Sequence, residues 1–165
     1  MESEVSSERS AAVAPRPLAE LLHCPPPVGN LLTSAATPVE LESGEVLFYQ
    51  NEPCRGLYLV AAGQLQRRAE RFDSRLTLGP VRVGELVELA AALGSERHTC
   101  TLSAVGDASL IKLPIEALHS AFQSYPPLRM QLLEELAREV SRAYEACFRA
   151  RFLRSKRGGL PAETA

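Results

Sequence analysis

Three side chains able to move a proton fall in one short stretch of the chain: Glu85, Glu88 and His98. Two carboxylates and an imidazole can serve as general acid and base if a fold gathers them. Nothing else in the sequence supports an enzyme. No Ser/His/Asp or Cys/His pattern, no GxxxxGK[ST] phosphate loop and no HExxH is present. Cys24, Cys54, Cys100 and Cys147 are far apart, and none forms a C-x-x-C pair. Zinc and iron–sulfur centres take clustered ligands, so no metal site is expected. The four are read as free thiols of a reducing compartment, behaving as small apolar residues. His23 and His119 stand alone at helical positions and are read as structural. Arg149, Arg151, Arg154, Lys156 and Arg157 form a basic run with no acid between them. Cations suit the C-terminal end of a helix; the sharper alternative is a contact for an acidic partner or nucleic acid.

The elements that must position these residues can be read from composition and period. The chain has 165 residues, 45% of them hydrophobic and 23% charged, with a net charge of −2. That balance suits one globular domain and excludes a globally basic nucleic-acid coat. No run approaches the ~18 apolar residues of a membrane span. Met1 to Ser10 is polar and acidic, unlike a secretory signal, so a cytoplasmic protein is expected. Residues 1–16 read as a disordered tail, 17–154 as the domain and 155–165 as a flexible tail.

Inside the domain, Pro17 to Leu22 and Val28 to Ala35 read as two short helices separated by Pro25-Pro26-Pro27. From Thr37 the apolar residues fall largely at period two: Val39, Leu41, Val46, Phe48, Leu57, Leu59, Leu65, Leu76 and Leu78. Turns at Ser43-Gly44, Asn51-Glu52-Pro53, Ala62-Gly63 and Gly79-Pro80 separate them. The fold class is therefore mainly β with flanking helices, an antiparallel β-roll of jelly-roll type over about residues 37–113. Glu85 to Leu93 is rich in helix formers and predicts a short helix within the roll. Strands resume at Thr99 to Ser103 and Ser109 to Leu113.

The last third, residues 114–154, reads as helical. Pro114 to Phe122 forms one helix, and Leu128 to about Arg154 a long one without internal Pro or Gly. On the long helix Leu133, Leu136, Val140, Ala143, Cys147 and Ala150 repeat in a heptad seam. Tyr144, Phe148 and Phe152 form an adjacent stripe. A helix of this length spans roughly 40 Å, more than a small roll covers. The seam predicts a homodimer through the C-terminal helix.

The order of elements and the residues along them resemble the cyclic-nucleotide-binding domain, the sensor half of catabolite-activator-type regulators. The resemblance rests on Leu41-x-x-Gly44-Glu45-x-Leu47-Phe48, Pro53, Leu57-Tyr58-Leu59-Val60-x-x-Gly63-x-Leu65, Gly84-Glu85-Leu86 and Thr99-x-Thr101-Leu102-x-Ala104. It covers about Thr37 to Arg149. Asn51 stands where the family usually has Gly, and Asn is the next best residue for a left-handed backbone. The resemblance implies a phosphate-binding cassette, with backbone N–H groups at a short helix start, an Arg fork for the phosphate and a Glu for the ribose hydroxyl. Its candidate ligand-binding residues here are Gly84, Glu85, Leu86, Arg97, His98 and Thr99. The Arg position is held by His98, and Arg97 lies one residue early. Glu88 and Glu96 add carboxylates near the anion position, where they would repel a phosphate. On the long helix Ala143 and Tyr144 fall where the family has purine contacts.

The function this implies is a non-catalytic sensor or regulatory domain for a cyclic nucleotide such as cAMP or cGMP, with no other cofactor. The cassette also accounts for Glu85, Glu88 and His98 better than an acid–base trio does. The alternative is a degenerate fold acting only by protein–protein contact or dimerisation, with an unidentified protein partner. A weaker third reading is a redox or haem sensor using Cys54, Cys100 or His98. The residues after the long helix are too few for a helix-turn-helix reader, so no DNA-reading domain is expected.

Overall fold

The structure is a computed structural model that describes residues 17–71 and 74–157; side chains of residues 71, 74–77, 150 and 152–157 are not described. Helices α1 (Leu18–Leu21) and α2 (Pro26–Ala35) open it. Pro17 and Pro25 stand just before the two helices, where a missing N–H costs nothing. Strands β1 (Thr37–Leu41), β2 (Val46–Phe48), β3 (Gly56–Ala62), β4 (Leu65–Arg71), β5 (Ser74–Val81), β6 (Leu86–Val87), β7 (Thr101–Ala104) and β8 (Ala108–Pro114) follow. Helices α3 (Ile115–Ser124) and α4 (Pro127–Arg157) close it.

The strands form two four-stranded antiparallel sheets, ordered β1-β8-β3-β6 and β2-β7-β4-β5. This is the expected roll with flanking helices. Strand β3 shows how the layers are built. Its side chains alternate, and both faces are buried. Leu57 and Leu59 pack into a helical cluster with Leu32, Leu113, Leu118, Leu128 and Leu132. Tyr58 and Val60 face the other way, into a roll cluster with Phe48, Leu65, Val87, Cys100, Leu102 and Leu110. The first sheet is thus a wall between two cores. Gly63, at φ 83°, turns β3 into β4 where a Cβ would lie 2.5 Å from the Asp107 carbonyl oxygen, so only Gly fits. Asn51 does adopt the left-handed backbone, at φ 71°.

Several boundaries differ from the sequence expectation. Gly79-Pro80, expected as a turn, lies within β5, where Pro80 and Val81 pair with Gln66 and Leu65. Pro26 and Pro27, expected between the helices, begin α2, where a missing N–H is tolerated. The helix expected over Glu85 to Leu93 is displaced. Leu86 and Val87 pair with Leu59 and Tyr58 as β6, and the helical turn falls at Ala91–Ser95. Helix propensity loses here because Val87 is buried in the roll and Glu88 has φ 75°, which no right-handed helix contains. The strand expected from Thr99 begins at Thr101, because the Thr99 N–H and hydroxyl are both spent on the Glu88 carboxylate. The long helix continues to Arg157, past the expected stop at Arg154. The expected tail at 1–16 and the remainder of the tail after 157 lie outside the described residues.

Helix α4 is anchored by its first turns. Leu128 and Leu132 are buried, and Leu136 packs partly against the same cluster. Beyond them Val140, Ala143 and Cys147 of the seam are exposed, as are Tyr144 and Phe148. Ala150 and Phe152 carry undescribed side chains. Among the described residues no helix is long and apolar enough to cross a membrane.

Candidate functional site

Strand β6 delivers a carboxylate into the interior. Val87 faces the roll and Leu89 packs in the helical cluster. Between them the backbone of Glu88 turns left-handed. Its side chain is buried, at 7% exposure, next to His98 at 4%. A buried carboxylate must be matched by donors, and four are supplied. Glu88 Oε2 lies 3.1 Å from His98 Nδ1 and accepts from the Thr99 N–H at 3.1 Å. Oε1 accepts from Thr99 Oγ1 at 3.0 Å and from the Cys100 thiol at 3.4 Å. The His98 ring stacks on Phe48, with centroids 3.6 Å apart.

The segment carrying His98 is fixed by the turn at residues 51–54. The Asn51 N–H donates to His98 O at 2.9 Å and the His98 N–H to Glu52 O at 2.8 Å. The Cys54 N–H donates to Glu96 O at 2.8 Å, and Pro53 pairs with Arg97. This ladder sets the half-buried Cys54 thiol beside Glu88 and His98. Burial raises the Cys54 thiol above its ordinary range. Burial, and then the charge and bond of Glu88, push Cys100 up to about 12. Burial, followed by the nearby Cys54 and Glu88, pushes Tyr58 up to about 12. Thiols held protonated in this way are poor nucleophiles and weak redox sensors.

Of the six residues singled out from the sequence, His98 and Thr99 meet at Glu88. Gly84, at φ 87°, lies on an exposed turn. Glu85 is exposed on the same turn, and its Oε2 accepts from the Arg82 N–H at 3.1 Å. Leu86 sits half-buried on β6 against the helical cluster. Arg97 is exposed and donates from Nη1 to Asn51 O at 2.7 Å. Glu85, Glu88 and His98 are therefore not assembled as an acid–base trio.

One cation of the roll escaped sequence reasoning. On β4, Leu65 and Ala69 face the roll cluster, and Arg67 shares their phase. Its Nη1 lies 2.7 Å from Glu139 Oε1 on α4. Its Nε is buried and has no hydrogen-bond partner among the described residues. An Arg in the inward phase of an otherwise alternating strand was the signal available.

A two-sheet roll whose wall strand β3 separates the roll core from a helical layer is an architecture of the regulatory sensor type. The chain belongs to the cyclic nucleotide-binding domain family, whose model matches residues 38–125. Among solved structures it is similar to the Thermus thermophilus catabolite activator protein, with a TM-score of 0.66 and 27% identity over 81% of this chain and 62% of that one. It also shares its fold with the sensor domain of the transcriptional regulator DNR from Pseudomonas aeruginosa, with a TM-score of 0.64 and 21% identity over 78% of this chain and 85% of that one. Among curated proteins it is 27% identical over 103 residues to lysophospholipase nte1 of Aspergillus oryzae, which is 62% of this chain and 7% of that protein. The chain spans less than a tenth of the curated relatives it matches first.

Proposed function

We propose that this chain is a non-catalytic regulatory module in which the protein's own carboxylate takes the place of a nucleotide phosphate. The observation that carries the reading is the buried Glu88 side chain, which accepts from His98, from the Thr99 N–H and hydroxyl, and from Cys100. Those donors precede β7, where the family resemblance puts phosphate contacts. Arg97, the nearest guanidinium in sequence, is engaged with Asn51 O. A cyclic phosphate would have to displace a carboxylate or lie beside it, and like charges in a buried site repel strongly.

Under this reading the module works in the cytoplasm through protein contacts. A second copy pairs along the exposed stripe of α4, and the roll sets the angle of that helix. Isothermal titration with cAMP, cGMP and cyclic di-GMP tests the nucleotide part. The expected result is no binding at or below ~100 µM, on the order of −5.5 kcal/mol. Saturable binding of any of the three refutes it.

One observation favours the other reading, a true nucleotide sensor. The His98 and Thr99 donors already converge on an anion, and that anion is held on a strained backbone. Swinging Glu88 out would free them for a phosphate, with Gly84, Glu85, Leu86 and Arg97 closing around it. In that case Thr99→Val weakens the titrated binding at least tenfold.

A further inference from the structure

Cys54, Glu88 and His98 come from three separate segments, yet their ligand atoms all lie within 4.8 Å of one another. They offer a sulfur, a carboxylate oxygen and an imidazole nitrogen, the donor set of a borderline divalent metal. We propose that these three side chains form a binding site for a zinc-class divalent ion, with the fourth tetrahedral position left to water.

The site is built before the ion arrives. Backbone bonds between residues 51–54 and 96–98 hold Cys54 and His98 side by side. Phe48 fixes the plane of the imidazole by stacking. Thr99 Oγ1 and the Cys100 thiol hold Glu88 Oε1, and the Thr99 N–H holds Oε2, which faces His98 and would exchange that contact for the ion. Such supporting bonds orient metal ligands and raise affinity. Donor atoms around a tetrahedral zinc stand about 3.3–3.9 Å apart, given bonds of about 2.0–2.3 Å. The ligand atoms, all within 4.8 Å of one another, must draw together to reach that spacing. The left-handed backbone at Glu88 is a strained conformation of the kind that collects at functional positions.

The charges balance. On binding, the Cys54 S–H bond breaks, the proton leaves to solvent, and the sulfur lone pair bonds to the ion. His98 gives the pair of the ring nitrogen that faces the site, with its one proton then on the other ring nitrogen, and Glu88 gives an oxygen pair in place of its bond from His98. One thiolate, one carboxylate and a neutral imidazole bring the total around a divalent ion to zero, which a buried site favours. The half-buried Cys54 marks the side by which the ion enters. Glu88 and His98 are shared with the anion cluster of the proposed function, but Cys54 is not, so the metal probe and the Cys54 variant read this site separately from the nucleotide titration.

Cobalt(II) is the probe, added to the full chain after chelator treatment and dialysis. The expected result is one equivalent bound, with a near-ultraviolet thiolate-to-cobalt charge-transfer band that zinc(II) bleaches. Cys54→Ser should remove the band and weaken metal binding at least tenfold. Serine can still donate to Gly56 O as the thiol does, so this variant should keep its far-ultraviolet dichroism. Cys147→Ser, on the exposed part of α4, should leave the band intact. No charge-transfer band at one equivalent overturns the site. So does an unchanged band in Cys54→Ser, or a band lost in Cys147→Ser.

Discussion

Replacing Glu88 tests the central structural claim, that a buried anion organises the junction between the roll and its helical layer. Three variants separate the contributions. Glu88→Gln keeps the shape and one acceptor oxygen. That oxygen can still take the Thr99 N–H and His98, and the Thr99 hydroxyl can rotate to accept from the new amide. Loss of charge-assisted bonding should then cost about 1–2 kcal/mol. Glu88→Ala leaves His98, at 4% exposure, buried without an acceptor, and strips the part-buried Thr99 N–H of its partner. The expected loss is about 3–5 kcal/mol. Glu88→Gly loses the same carboxylate but relieves the backbone, which sits at φ 75°. Glycine should therefore be more stable than alanine by about 1 kcal/mol. Urea unfolding followed by circular dichroism measures all three differences. An alanine variant within about 1 kcal/mol of the parent refutes the anion hub. Glycine no better than alanine refutes the strain.

Three further outcomes are expected. In a double-mutant cycle with Arg67→Met and Glu139→Gln, the pair at 2.7 Å should show a coupling of about 0.5–1 kcal/mol; additive urea midpoints would remove this tie between roll and helix. The thiol of Cys100 is raised from 9.0 to about 12 and the Tyr58 hydroxyl from 10.0 to about 12. Groups raised on folding contribute fully below their unfolded values and less as pH climbs toward the folded ones. Denaturant midpoints should hold to about pH 9 and fall between about 9 and 12, by at most roughly 4 kcal/mol from Cys100, and Cys100→Ala should flatten that fall. Sedimentation should find the parent dimeric at tens of micromolar. Lysine at Val140, Tyr144 and Phe148, each more than half exposed, should give monomers; a monomeric parent ends the pairing.

The roll was legible because its constraints are local. Alternation of apolar residues marks half-buried strands, and Gly63 and Asn51 sit where a left-handed turn is required. The cassette was harder to read for a physical reason. The run Glu85 to Leu93 has the composition of a helix, but its first residues are taken by pairing with β3. Burial of Val87 outweighs propensity, and no one-dimensional pattern reports that competition. His98 was found by position alone, while its partner Glu88 read as a repulsive charge. What makes the pair stable is the convergence of Thr99 and Cys100, which follow His98, with the turn at 51–54, more than 40 residues before it. Cys54 could not be joined to them from spacing, being 34 and 44 residues away in sequence. Arg67 carried a signal in the phase of its strand, but its target on α4 lies 72 residues on.

How the junction reaches α4 follows from the two cores. Val87 and Cys100 belong to the roll cluster, while Leu89 and Ala92 belong to the helical cluster with Leu128 and Leu132. Glu88 stands between them, and its donors come from the residues leading into β7. Densely packed cores respond to such a change by shifting between discrete arrangements rather than by yielding gradually. Leu89 follows Glu88 in the chain and shares the helical cluster with Leu128 and Leu132, so an event that draws the Glu88 carboxylate toward a new partner is expected to be felt at the anchored turns of α4. The second tie, Arg67 to Glu139, grips the same helix about 10 Å beyond Leu132, two turns on. With both ties made, the helix is held at two points and its direction is set. With Arg67 released, only the anchored end remains, and the exposed stripe beyond it can swing. A ligand, ion or partner shifts this balance only by the difference in its affinity for the two arrangements. The decisive comparison is between the Arg67→Met variant and the parent. If α4 is the output, hydrogen exchange should quicken beyond residue 136 and stay unchanged through Leu128 and Leu132. Uniform exchange along the helix in both proteins would mean that the roll does not govern it.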